Sequence, residues 1–191
     1  MSFLAMPHPA AARRLFLGRS GLVLSGAAVA LLSGNEALAA KARSANQAAG
    51  DTQILNTALG AELEAIAAYQ AGAESHLLEK PVLDLAVGFQ GHHKQHADLL
   101  AKTITKLGGK PVAAKDKYDF SGERLQSQAD VLRFAARLEQ GAVSAYLGAV
   151  PLFGNRDLAK AAASILGDEA MHWAVLRQAL GENPVPSAFM S

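Results

Sequence analysis

The sequence predicts an all-α fold, a four-helix bundle of two helical hairpins joined by a long crossover. Three observations carry the prediction. Four segments place apolar residues at the 3.6-residue helical period, no segment alternates with period two long enough for a strand, and the second and third helical segments are separated by an unusually long connection.

The first segment is read from Asp51-Thr52, both good residues for opening a helix, and carries Leu55, Leu59, Glu62, Ile66 and Tyr69 on one stripe. The second opens with Pro81 in its first turn, where the missing N–H costs nothing. Its stripe is Leu85, Phe89, His93, His96, Leu100, Ile104 and Leu107, and Gly108-Gly109 followed by Pro111 ends it. The connection from Lys110 to Leu125 exceeds the ~2–8 residues usual between neighbouring helices and is expected to cross the bundle. The third segment starts near Ser127, runs through Leu132, Ala135, Glu139, Ala142, Val143 and Tyr146, and stops at Pro151. The fourth starts at Asn155, presents Leu158, Ala162, Ile165, Glu169, His172, Leu176 and Leu180, and stops at Gly181 with Pro184 beyond.

Half of the 191 residues are apolar, enough for one domain with a buried core. The formal net charge is +1, and no stretch concentrates Lys and Arg as a phosphate-tracking surface would, so nucleic acid is not an expected partner. Cysteine is absent, which excludes disulfides and thiolate ligands.

The N-terminus has a composition of its own. Arg13-Arg14-Leu15-Phe16-Leu17, the apolar run Gly21 to Leu32 and the small residues Ala37-Leu38-Ala39 follow the order of an export signal with its cleavage site. The paired arginines resemble the twin-arginine signal, which a receptor reads on substrates that fold before export. An uncleaved anchor is the competing reading, and the apolar run falls short of the ~20 residues needed to span a bilayer. The expected organisation is a signal peptide over 1–39 cleaved after Ala39, a flexible leader over 40–50, the bundle over 51–181 and a tail over 182–191. The expected location is the periplasm, with the twin-arginine machinery as an export partner.

Each helical stripe carries ionisable residues where burial costs several kcal/mol unless they are paired or bind metal. Glu62 and Glu139 stand singly, whereas His93/His96 and Glu169/His172 are i,i+3 pairs that project from one face. Glu62 and Glu139 are 77 residues apart, as are Tyr69 and Tyr146. His93 and Glu169 are 76 apart, as are His96 and His172. The second hairpin is therefore a structural copy of the first, and two such halves packed about a pseudo-twofold axis bring their ligands together. Carboxylates and imidazoles suit iron or manganese, and one Glu from each of two helices plus Glu-x-x-His from each of the other two is the dinuclear pattern of such bundles. Five of the six positions match; His93 takes the place of one glutamate.

Neighbouring residues have plainer readings. His92 is read as facing outward, although His92, His93 and His96 could form a surface cluster, and Glu64 as solvated because it lies about 200° round the helix from Glu62. Tyr69 and Tyr146, two turns beyond their glutamates, are read as core residues whose hydroxyls bond a buried carboxylate or histidine. Trp173 is read as packing beside the site.

The segments Leu55 to Tyr69, His93 to Leu100, Leu138 to Tyr146 and Asp168 to Leu176 resemble the ferritin-like superfamily, most nearly its exported bacterial ferritin-like-domain proteins. The resemblance implies Glu62, His96, Glu139, Glu169 and His172 as metal ligands, with Glu169 bridging. Manganese catalases are similar in lacking one glutamate of a Glu-x-x-His half. The activity so implied is that of a di-metal oxidoreductase handling oxygen or peroxide under oxidative or metal stress, as a monomer or homodimer. A non-catalytic metal-binding or structural stress protein with a degenerate site is the alternative.

Overall fold

The computed structural model describes residues 36–190, which form four helices. These are α1 (Glu36–Glu74), α2 (Lys80–Lys106), α3 (Gln128–Ala149) and α4 (Arg156–Ala179), with a 3-10 turn, Val150–Leu152, between the last two. There is no strand among the described residues, and none of their helices is long and apolar enough to cross a membrane. Residues 47–190 form the bundle as one compact unit. Most of the region on which the export signal was read, residues 1–35, lies outside the described residues.

The predicted start of the first helix is corrected. Residues 36–50 are helical and continue directly into the rest of α1. The segment is rich in alanine, the best helix former, and contains no proline. Lack of an apolar period removes a reason to bury a helix, but it does not remove the helix. Asp51 consequently opens nothing. It is a buried residue inside α1, and its two carboxylate oxygens accept from the backbone N–H groups of Gly154 (2.8 Å) and Asn155 (3.0 Å). It therefore satisfies donors immediately before α4, 103 and 104 residues away in sequence, where negative charge also complements the helix dipole.

The other boundaries follow the sequence signals. Ser127 and Asn155 cap α3 and α4 by accepting from the N–H groups of Asp130 and Asp157. Gly108 and Gly181 adopt φ values of 81° and 74°, the left-handed conformation that closes a helix and that glycine adopts without steric cost. The connection after α2 begins against the middle of α1, where Asn56 donates to the Lys110 carbonyl and accepts from Val112 N–H. It finishes at the opposite end, where the Gln128 side chain accepts from the N–H of Glu79 at the start of α2. The link thus runs the length of the bundle, as expected, and α2 and α3 point the same way.

Two apolar layers fill the interior. One gathers Leu55, Leu59, Leu100, Ile104, Phe153 and Ile165; the other gathers Phe89, Leu132, Ala136, Trp173 and Leu176. Tyr146 belongs to the first layer and Tyr69 to the second. Between these layers lies the polar cluster described next.

Candidate metal centre

All four helices deliver side chains to one buried point. Glu62 comes from α1, His93 and His96 from α2, Glu139 from α3, and Glu169 and His172 from α4. Glu62, His93, Glu139, Glu169 and His172 are each at most 3 % exposed. The six residues chosen from the sequence fall into two overlapping sets of four, each able to converge on one ion. The first is Glu62, His93, His96 and Glu169; the second is His93, Glu139, Glu169 and His172. His93 and Glu169 belong to both, so they occupy the shared positions, while Glu62 with His96 and Glu139 with His172 occupy the two ends.

His93 replaces a carboxylate with a ring that faces both ends. Its Nδ1 lies 2.8 Å from Glu62 Oε2 and its Nε2 3.2 Å from Glu139 Oε1. His96 Nδ1 lies 3.0 Å from Glu169 Oε1, and His172 Nδ1 lies 3.3 Å from Glu169 Oε2. Burial alone would lower the pKa values of these rings, but their carboxylate neighbours outweigh it. Glu139 and Glu62 lift His93 to about 10, Glu169 and Glu62 lift His96 to about 9, and Glu139 and Glu169 lift His172 to about 9. Burial works against the charged forms of Glu62 and Glu139 as well, yet contact with the histidines holds both below the ordinary carboxylate range. In the absence of metal, imidazolium and carboxylate neutralise one another.

That charge balance leaves the polar atoms incompletely satisfied. His96 Nδ1, His172 Nδ1, Glu139 Oε2 and both carboxylate oxygens of Glu169 are buried without a hydrogen-bond partner of good geometry. Orphaned buried atoms of this kind are rare. Here all five belong to the two four-residue sets, and all are types that bind iron or manganese. The donor set therefore fits a pair of such ions.

Two tyrosines bracket the cluster. Tyr146 of α3 donates to Glu62 Oε1 of α1 at 2.6 Å, and Tyr69 of α1 donates to Glu139 Oε1 of α3. Burial and the adjacent carboxylates push both phenols far above their ordinary values, so they remain donors. Each hydroxyl crosses to a carboxylate on the opposite helix. Trp173 packs in the neighbouring apolar layer, with the Arg177 guanidinium 5.1 Å from its ring.

Asp168 was not singled out in the sequence. One carboxylate oxygen, Oδ2, stands 3.3 Å from His96 Nε2, His172 Nε2 and His92 Nδ1 alike. Both end histidines thus turn Nδ1 toward the cluster and Nε2 toward the same carboxylate. The available signal was its offset, since Asp168 corresponds to His92 at the 76-residue spacing that relates His96 to His172. The outward reading of His92 holds only in part. Its side chain is 46 % exposed, yet its Nδ1 approaches His172 Nε2 at 2.8 Å.

A family model described as a ferritin-like domain matches residues 50–182. No curated protein matches the sequence. Among solved structures, a conserved hypothetical protein from Mycobacterium tuberculosis superposes with a TM-score of 0.65 at 24 % identity, covering 75 % of this chain and 99 % of that one. A ferritin-like, diiron-carboxylate protein from Bacillus anthracis superposes with a TM-score of 0.61 at 20 % identity, covering 70 % and 97 %. At these identities the likeness shows the fold. With most of the chain matched by the family model, this protein belongs to the ferritin-like domain family.

Proposed function

We propose that the chain binds two transition-metal ions, iron or manganese, and acts on oxygen or peroxide after export by the twin-arginine route to the periplasm. The observation that carries the proposal is the meeting of six ligand-type side chains from four helices, with five of their polar atoms buried and unpartnered. The diiron-carboxylate character of the Bacillus anthracis neighbour supports the same reading. Glu62 with His96 would hold one ion, Glu139 with His172 the other, and Glu169 would lie between them. When bound, such ions supply the redox capacity for reducing oxygen or disproportionating peroxide. Asp168 Oδ2 stands 3.3 Å from Nε2 of both end histidines, on the side away from the cluster, and would favour the orientation that leaves Nδ1 facing an ion, while Tyr69 and Tyr146 hold the end carboxylates in place.

A second reading is favoured by His93. With three histidines set against three glutamates, the core approaches neutrality without metal, as a non-catalytic stress protein or scaffold with a degenerate site would require. Metal analysis of full-length protein purified from the periplasm without chelator separates the two. About two iron or manganese ions per chain are expected, as in dinuclear bundles, with loss of both metal and peroxide turnover in Glu169→Ala. A metal-free wild-type protein, or a Glu169→Ala variant with undiminished metal, overturns the proposal.

A further inference from the structure

Asp168 and His92 belong to neither four-residue set of the buried centre. Their side chains are 25 % and 46 % exposed, so they stand at the surface just outside it. With Gln95 and His96 they line a depression of about 220 Å³ between α2 and α4.

Three donor atoms converge there. His92 Nδ1 and His172 Nε2 each stand 3.3 Å from Asp168 Oδ2 and 2.8 Å from each other. Donors ~2.0–2.1 Å from an ion lie roughly 2.9 Å apart at right angles and roughly 3.4 Å apart in a tetrahedron, so these separations suit one shared ion. Asp168 and His172 are i,i+4 on α4 and project from one face, and His92 closes the group from α2. Two imidazoles with one carboxylate suit a divalent first-row transition metal, whereas calcium and magnesium take chiefly oxygen ligands.

His172 faces the centre through its other nitrogen. Nδ1 lies 3.3 Å from Glu169 Oε2, while Nε2 faces Asp168. A neutral imidazole offers one nitrogen lone pair, so an ion on Nε2 leaves the proton on Nδ1, and an ion on Nδ1 leaves it on Nε2. The ring therefore serves one position at a time, and transfer of an ion inward goes with a proton shift from Nδ1 to Nε2.

We infer that His92, Asp168 and His172 form an outer site that takes a divalent transition-metal ion from solvent and fills the adjoining end of the buried centre. Delivery rests on the metal-centre reading; binding at the outer site does not. With three ligands and an open side, the outer site exchanges its ion readily and does not retain it through purification.

The test adds Co²⁺ to full-length, chelator-treated protein and follows its visible absorption at equilibrium and by stopped flow. In Glu169→Gln, which lacks the carboxylate common to both inner sets, about one Co²⁺ per chain should still bind, and adding His92→Ala should weaken it at least about tenfold with helical circular dichroism unchanged. With the centre intact, His92→Ala alone should reach the wild-type stoichiometry several-fold more slowly at limiting Co²⁺, because a held ion meets the centre at an effective concentration above that of bulk solution. This kinetic arm leaves every buried ligand in place, so it does not depend on the folding of Glu169→Gln. Folded Glu169→Gln that binds no Co²⁺, or binds it equally with and without His92, overturns the outer site and leaves the buried pair standing; the His92–His172 contact is then a hydrogen bond only. An uptake rate unchanged by His92→Ala overturns delivery. One His92-dependent Co²⁺ in wild-type protein that takes up no other ion defeats the metal-centre reading alone and leaves the outer site in place.

Discussion

Tyr146 and Glu62 meet across the bundle, with the phenol of α3 donating to the carboxylate of α1 at 2.6 Å, and Tyr69 returns the contact by donating from α1 to Glu139 of α3. This exchange makes the internal repeat of the sequence physical. Each half supplies a hydroxyl for the other half's end carboxylate, so neither hairpin can complete its polar site alone.

Tyr146→Phe should destabilise the protein by about 1–3 kcal/mol, because the lost bond is to a charged group and leaves Glu62 Oε1 unsatisfied. Urea denaturation of the metal-free protein measures it. Unchanged stability would mean that Glu62 is solvated or protonated in solution.

The metal-free protein should be most stable between about pH 4.5 and 6.5. The raised pKa values of His93, His96 and His172 contribute stability that is fully present below their ordinary value of 6.5 and disappears as pH rises through about 9 to 10. The lowered values of Glu62 and Glu139 contribute stability present above 4.5 and lost as pH falls through the folded-state values. Urea midpoints of chelator-treated protein across the acid and alkaline limbs check the sign. A midpoint that climbs through the alkaline limb would contradict these ion pairs. Metal uptake should strengthen in that same limb, since the histidines must release protons to bind.

Asp168→Asn should weaken metal binding by about 10–100-fold without changing the stoichiometry at saturating metal. The carboxylate lies 3.3 Å from Nε2 of both end histidines, and an amide there removes the charge that these rings face and can present N–H to Nε2. Competition with a chelator of known affinity reads the change. An affinity equal to wild type would remove Asp168 from the site's support.

His93→Glu should lower the thermal midpoint of the metal-free protein and increase the stabilisation gained on adding manganese. A fourth carboxylate in a buried cluster with one fewer imidazolium adds repulsion, which divalent cations relieve. Thermal melts with and without metal give both quantities. If metal stabilises this variant no more than wild type, position 93 does not lie between the ions.

What the sequence determined by itself was the set of helices and the chemical types at the centre. Periodicity, the caps at Ser127 and Asn155 and the glycines at 108 and 181 are local signals, and the structure obeys them. The paired offsets of Glu62 with Glu139 and His96 with His172 bring six side chains together because repeated hairpins pack with repeated geometry. Tertiary structure decided where local signals were ambiguous or shared between distant residues. Asp51 has the chemistry of a helix cap, and only the placement of α1 beside the start of α4 decides that it accepts from the N–H groups of Gly154 and Asn155. Asp168 resembles many half-exposed helix acids until two histidines from different helices turn toward it. The crossed tyrosines likewise depend on which helices are neighbours. Chain direction and packing set that relationship, and no residue's immediate neighbours in sequence encode it.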